Sequence, residues 1–397
     1  MPIAQKIAEA MTRSSWIRRM FEEGARMIGD GQGPVYDFSL GNPTLEPPRE
    51  FVRRLRDLVN SDEPGRHRYM ANAGYADTRQ AVADYLRQEF GVPLNANLIL
   101  MTVGAGGGLN VALKALLDPG DEVIVPTPYF AEDGFYIGNH GGAMVNVPTR
   151  ADFELDPAAV AAAVGPRTKA VLINSPNNPT GVVYSRETLM RLAAALRAAG
   201  EKRGAPIYLL SDEPYRKIVY DLERAPGALE VYEHAIMATS HSKDLGLPGE
   251  RIGWLAVHPL AADAPQLMDA LAFANRTLGF VNAPALMQRA VQGCLRASVD
   301  IEWYRRKRDR LCASLTRFGY SVVQPGGAFY LFPAAPGGDD IAFCQAMAQR
   351  RVLVVPGAGF GLPGYFRIAY CCDDQVIAGA LPAFEAAIRD GRCSAFG

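Results

Sequence analysis

The sequence is poor in cysteine, and what it has forms no ligand set. Its six cysteines include the adjacent pair Cys371 and Cys372, with no CxxC pair and no Cys/His spacing of a metal site. In a chain of 397 residues such thiols are expected to be reduced and packed as small hydrophobes, which implies no metal and a cytoplasmic location. A charge surplus is also absent. Lys plus Arg number 41 and Asp plus Glu 42, so nothing draws the chain to nucleic acid or to an anionic membrane surface. The fitting partner is a small molecule. Long apolar runs are missing as well: the opening MPIAQKIAEAMTRSSWIRRMFEEG is charged throughout and lacks a signal-peptide core. No later stretch of about 18 uncharged apolar residues is present to span a membrane. No repeat or low-complexity block interrupts the chain.

What is there reads as folded throughout, with a hydrophobic fraction of 49% and length enough for two packed lobes. Between Asn97 and about Arg276, short apolar runs alternate with helical stretches such as GLNVALKALL and SRETLMRLAAALRAAG. The runs are LILMTV, DEVIVP, KAVLIN, IYLLSDEP and GWLAVH, and the alternation predicts a large α/β lobe with a mostly parallel sheet flanked by helices, over 50–285. After it, a long helix over IEWYRRKRDRLCASLTRFGY, the strands AFYLFP, VLVVPG and YFRIAY, and a C-terminal helix predict a smaller α+β lobe over 286–397. The segment 1–49, which carries the irregular loop SLGNPTLEPP, is assigned to the smaller lobe and the cleft rim.

In open α/β sheets ligands collect outside the carboxyl ends of the strands, so candidate binding residues are sought after each run. After LILMTV come Gly104-Ala105-Gly106-Gly107-Gly108, read as a glycine turn opening a helix whose bare amides fit an anion such as phosphate. Alone, such a cluster is more often a plain flexible turn. SPNNPTG after KAVLIN is equally well a tight turn. Asp212, ending the run IYLL-Ser-Asp, is costly to bury without a cationic or protonated partner. Lys243 stands in TSHSKDLGLPGERIG, with Asp244 its only charged neighbour and Arg251 eight residues on. Most lysines are solvated surface charges. One held among few charges near another cation has a lowered pKa and offers a neutral amine to carbonyl groups. With Arg251 and Ser240 holding a phosphate, a phosphate-bearing aldehyde captured as a Schiff base accounts for the whole stretch.

These motifs together resemble the class I/II aminotransferases, fold-type I pyridoxal 5′-phosphate enzymes of the aspartate aminotransferase type. The resemblance runs from LGNP at Leu40 through HRYMANAGYADTR, PTPYF, NSPNNPTG, SDEPY, SHSKDLGLPGERIG and PGGAFYLFP to FRIAY. It implies that Lys243 links to the cofactor and then moves the proton, and that Asp212 pairs with the pyridine nitrogen. Asn178 and Tyr215 would hydrogen-bond the phenolate oxygen and Phe130 would stack on the ring. Ala105, Gly106, Ser240, Ser242 and Arg251 would hold the phosphate, joined by Tyr69 from a partner subunit. Arg367 would take the substrate α-carboxylate, beside Gly41 and Asn178. The implied protein is a homodimer moving an amino group between an L-amino acid and a 2-oxo acid by a ping-pong cycle. Elimination, cyclising synthesis or decarboxylation are the alternatives on the same scaffold, and a non-catalytic cofactor-binding regulator is the rival outside catalysis. The sequence departs from better-known members where glycine follows Gly106 and where Phe130 replaces a stacking Trp. Arg276 is near the region that binds a distal carboxylate in the aspartate enzymes, without matching its register.

Overall fold

The five apolar runs read as strands are all present, and they make up most of one seven-stranded sheet. The structure, a computed structural model, describes residues 3–12, 16–29 and 31–394, so the parts of the N-terminal segment at 1, 2, 13–15 and 30 lie outside the described residues. A short strand, β1 (Tyr36–Asp37), precedes the sheet, which is formed by β2 (Ile99–Thr102), β3 (Glu122–Thr127), β4 (Ala143–Pro148), β5 (Thr168–Asn174), β6 (Tyr208–Asp212), β7 (Ala235–Ser240) and β8 (Gly253–Val257). Their spatial order is β2-β8-β7-β6-β5-β3-β4. Only β8 runs against its neighbours, β2 and β7; the other pairings are parallel. Strands β2, β6, β7 and β8 are buried along their whole length, which explains why β2, β6 and β8 read as continuous apolar runs instead of alternating ones.

Two strands escape the sequence reading. β4 lies at the sheet edge and is largely exposed, so AMVNVP carries no strong apolar run. β7, AIMATS, is fully buried but built largely of small and hydroxyl residues. The glycine run also needs correction. It is not a turn before a helix but the first part of the helix Gly104–Leu116 itself. Close packing overrides the poor helix propensity of glycine: a Cβ on Gly108 would stand 3.1 Å from Leu255 Cδ2 on β8.

A second apolar cluster is built around Tyr320, Phe343, Phe366 and Phe384. It joins the helices Ile301–Phe318, Asp340–Gln349 and Asp374–Ser394 to β9 (Tyr330–Leu331), β10 (Val352–Leu353) and β12 (Phe366–Ala369), while the adjoining β11 (Val355–Pro356) packs its Val355 into the main cluster. The order β11-β12-β9 is antiparallel, and β10 pairs in parallel with β1. That pairing sets Tyr36 opposite Val352 and leads the irregular loop 39–48 toward the ends of the large sheet. Among the described residues no helix is long and apolar enough to cross a membrane.

The seam between β7 and β8 at the sheet's carboxyl edge leaves no room for a side chain. A Cβ on Gly253 would meet Thr239 O at 2.3 Å and the Ser240 Cα at 3.1 Å, both backbone atoms that cannot rotate aside. Gly253→Ala is therefore expected to destabilise the protein by about 1–3 kcal/mol, the usual penalty of overpacking. Urea unfolding followed by circular dichroism checks it.

Candidate active site

The carboxyl ends of β2, β3, β5, β6 and β7 open onto one cavity of about 350 Å³. Twelve of the residues singled out from sequence line it: Gly41, Ala105, Gly106, Phe130, Asn178, Asp212, Tyr215, Ser240, Ser242, Lys243, Arg251 and Arg367. The thirteenth, Tyr69, does not. It is 89% exposed and sits on a separate surface depression with His67 and Phe280.

One end of the cavity is built to receive an anion. Gly104 starts its helix at φ 70°, a conformation glycine adopts freely, and a Cβ there would stand 2.7 Å from Arg251 Nη2. Arg251 Nη1 donates to Pro248 O at 2.9 Å and reaches Ser242 Oγ at 3.5 Å, while Ser240 Oγ donates to Ser242 Oγ at 3.2 Å. Two hydroxyls, a guanidinium and the free amides of a helix N-terminus thus face the same space, a combination that favours phosphate.

Asp212 lies at the end of β6, buried with one oxygen satisfied and the other not. Its Oδ2 accepts from Asn174 Nδ2 at 3.1 Å, whereas Oδ1 has no partner among the described residues. Burial pushes its pKa up to about 7, with the neighbouring Glu213 adding to the rise. The group asks for a cation or a proton at Oδ1.

Lys243 follows β7 on a single helical turn, His241–Asp244. Its Nζ donates to Gly41 O at 2.6 Å and lies over the Phe329 ring. Burial above all, opposed by Cys371 and assisted by Arg367 and Arg251, lowers its pKa to about 8. Behind the lysine, Asp244 is buried beside Lys217 and His241. Its carboxylate takes Lys217 Nζ at 2.9 Å and His241 Nδ1 at 3.2 Å, which hold its pKa well below the usual carboxylate range despite burial. Its backbone carbonyl accepts Val299 N–H at 2.7 Å, and Lys217 also donates to Leu295 O and Ala297 O. The lysine-bearing turn is thereby bolted to the segment 295–299 that precedes the helix Ile301–Phe318.

Arg367, on β12, is 1% exposed. Nη1 donates to Asn178 Oδ1 at 2.9 Å and Nη2 to Ser39 O at 2.5 Å, leaving Nε without a partner among the described residues. Its guanidinium stacks against Tyr330 and Phe360, 4.8 and 4.7 Å from the ring centres. Among the described residues no carboxylate pairs with it.

The sequence reading misses Leu109, Glu132, Tyr136, Asn174, Pro214, Pro248 and Tyr330, all of which line the cavity. Tyr330 bonds Tyr215, OH to OH, at 2.7 Å, and burial raises the pKa of both phenols. Asn174 alone leaves a signal, as an amide closing an apolar strand. Arg276 is exposed, lies over the Phe273 ring and is not part of the cavity. Among the described residues no group of three or more His, Cys, Asp or Glu side chains is placed to hold a metal.

A lysine of lowered pKa, an unpartnered buried acid and an anion cradle in one cavity match what comparison finds. The family model described as aminotransferase class I and II matches residues 34–384. The chain belongs to that family. It is 33% identical to the aspartate/prephenate aminotransferase of Thermus thermophilus, over 87% of this chain and 88% of that one. A putative aminotransferase of Bacillus subtilis is also 33% identical, over 93% and 94%. A crystal structure of an amino transferase from Eubacterium rectale superposes with a TM-score of 0.94 at 38% identity, covering 98% of this chain and 99% of that one. Aspartate aminotransferase from Thermus thermophilus with maleate superposes at 0.85 and 29% identity, covering 94% and 97%. The protein is an aminotransferase, it uses pyridoxal 5′-phosphate, and its substrates are amino and oxo acids.

The aminotransferase's cavity residues are of the kinds that cofactor requires. The anion end suits its phosphate, and Asp212 Oδ1 is an orphaned acceptor suited to a protonated ring nitrogen. In the cofactor-free protein Asp212 has a stability signature. An acid whose pKa rises on folding holds its proton more tightly in the folded state, so its contribution is full at low pH and is lost as pH rises through about 7. Asp212→Asn is expected to flatten that decline by a few kcal/mol, since each tenfold difference in proton affinity between folded and unfolded states is worth about 1.4 kcal/mol. Urea unfolding of the two cofactor-free proteins from pH 5 to 8 measures it.

Proposed function

We propose that this cavity carries out amino transfer between an L-amino acid and a 2-oxo acid, one leaving before the other binds, with Lys243 as the attachment and proton-moving residue. The observation that carries the reading is a half-buried amine of pKa about 8 in the same cavity as a buried acid and a buried arginine that, among the described residues, lack a partner at Oδ1 and a counter-ion respectively. When bound, the cofactor supplies a carbonyl that takes up the amino group and a ring that withdraws electrons from the substrate's α-carbon. Ala105, Gly106, Ser240, Ser242 and Arg251 hold its phosphate in this reading, Asp212 faces the ring nitrogen, and Phe130 covers the ring. Tyr215, its pKa raised by burial, stays protonated and donates to the phenolate oxygen with Asn178.

With its pKa lowered to about 8, Lys243 could offer a neutral amine that would take a proton from the substrate's α-carbon and deliver it across the shared nitrogen to the former carbonyl carbon of the bound cofactor. Arg367 presents a rigid guanidinium, fixed by Asn178, Ser39 and two rings, to the α-carboxylate of either substrate. Gly41 closes that side. A side chain there would collide with Tyr330 Oη, 2.0 Å from its Cβ position.

The reading includes a large lobe over 50–285 and a smaller one over 286–397 with segment 1–49, and a cytoplasmic homodimer. The dimer is supported by Tyr69, an 89% exposed aromatic that does not line the cavity of its own chain and is suited to reach a partner's phosphate site.

Borohydride reduction of the purified holoenzyme followed by peptide mapping is expected to place the pyridoxyl label on Lys243. Lys243→Ala abolishes both label and turnover; label on another lysine overturns the assignment. The shared site is tested by refolding Lys243→Ala and Tyr69→Phe chains together. Activity rising toward one wild-type site per mixed dimer is expected, whereas confirmed mixed dimers no better than the average of the parents contradict sharing.

A further inference from the structure

Five Asp, Glu, Lys or Arg side chains line the cavity: Arg251, Lys243, Arg367, Asp212 and Glu132. Resting on the reading above, the first four are committed to the phosphate, the amine chemistry, the α-carboxylate and the ring nitrogen. Glu132 has no such task. It also has no structural one, because its side chain does not cap the helix Asp133–Asn139 that it precedes. That side chain makes no hydrogen bond or ion pair with any described residue. A half-buried carboxylate left without a partner costs solvation free energy that its own chain does not return, and burial accordingly pushes its pKa up.

With the cofactor and carboxylate contacts set aside, and with them Asn174, which bonds Asp212, and Tyr330, which bonds Tyr215 and covers Arg367, the remaining lining is Leu109, Glu132, Tyr136, Pro214 and Pro248. Four of these are apolar or aromatic and one is acidic. Such a surface accepts an aliphatic stem ending in a positive charge. It opposes the second carboxylate of an acidic substrate, for which this chain's cavity offers no cation beyond the three already committed; Arg276 is exposed and outside it. Like charges brought together in a partly desolvated cavity disfavour one substrate while opposite charges favour another, so a single side chain acts on both.

We propose that Glu132 is the residue that selects the amino donor, and that the preferred donor is an amino acid with a cationic side chain, of the lysine, ornithine or arginine class.

The test uses holoenzyme and single-turnover absorbance, following conversion of the cofactor from its aldehyde to its amine form with L-lysine, L-ornithine, L-arginine, L-leucine and L-aspartate. The wild type is expected to react with at least one basic donor at a higher kcat/KM than with leucine or aspartate. In Glu132→Gln the ratio of kcat/KM for that donor to kcat/KM for leucine falls about 10- to 100-fold, the range a lost charge contact produces. The ratio of aspartate to leucine rises, and Glu132→Asp recovers part of the basic preference. Unchanged ratios in Glu132→Gln overturn the proposal, as does an equal loss for all five donors at equal cofactor content, which assigns Glu132 to the cofactor. If leucine converts and no Glu132-dependent preference appears, only this inference fails. If no amino acid converts and Lys243 carries no reduced label, the reading beneath it fails instead.

Discussion

A guanidinium buried with no carboxylate partner among the described residues is the feature around which this molecule is assembled. Arg367 is almost wholly shielded, and a cation in such a setting is tolerable only when most of its donors are met and its faces are covered. The partners come from every part of the chain. Asn178 follows β5 of the large sheet, Ser39 belongs to the segment after β1, and Tyr330 and Phe360 flank the guanidinium from the strands and turns around β12. The pairing of β1 with β10 is what delivers Ser39. Because these partners are neutral, the charge is stabilised but not cancelled. In the proposed reading, a substrate carboxylate supplies what the fold withholds.

The same economy recurs at Asp212 and Lys243. Each is at least half shielded from water, and that burial brings their pKa values to about 7 and 8, near the point of changing charge. Asp244, one residue from the lysine, shows the contrast. Surrounded by Lys217 and His241 it is fully ionised and inert, the behaviour of an acid whose needs are met.

Much of this is legible in the amino-acid order alone. Lys243, Asp212 and the glycine run stand out because each sits directly after an apolar strand or beside one, where a local pattern and an unusual residue coincide. The residues that stay hidden come from places with no such coincidence. Tyr330 reads as one more aromatic in AFYLFP, and its contact with Tyr215 joins positions 115 apart in sequence. Glu132 and Tyr136 read as the charged and aromatic residues of an ordinary short helix; only the end of β3 turning toward the end of β6 makes them part of a cavity. Strand β7 is hidden for the opposite reason. Its burial comes from neighbours on both sides, while its own residues are mostly small. Gly104–Gly108 reads as a turn because intrinsic propensity speaks against a helix there, and the close approach of that helix to β8 outweighs it.

The bolt formed by Asp244 and Lys217 has a mechanical meaning. It fixes the lysine-bearing turn to 295–299, the stretch just ahead of the helix Ile301–Phe318. Lys217 follows β6 and Asp244 follows β7, so one ammonium fastens two neighbouring strand ends of the large sheet to a single incoming segment. The amine of Lys243 takes its aim from three distant pieces of chain held by one charge.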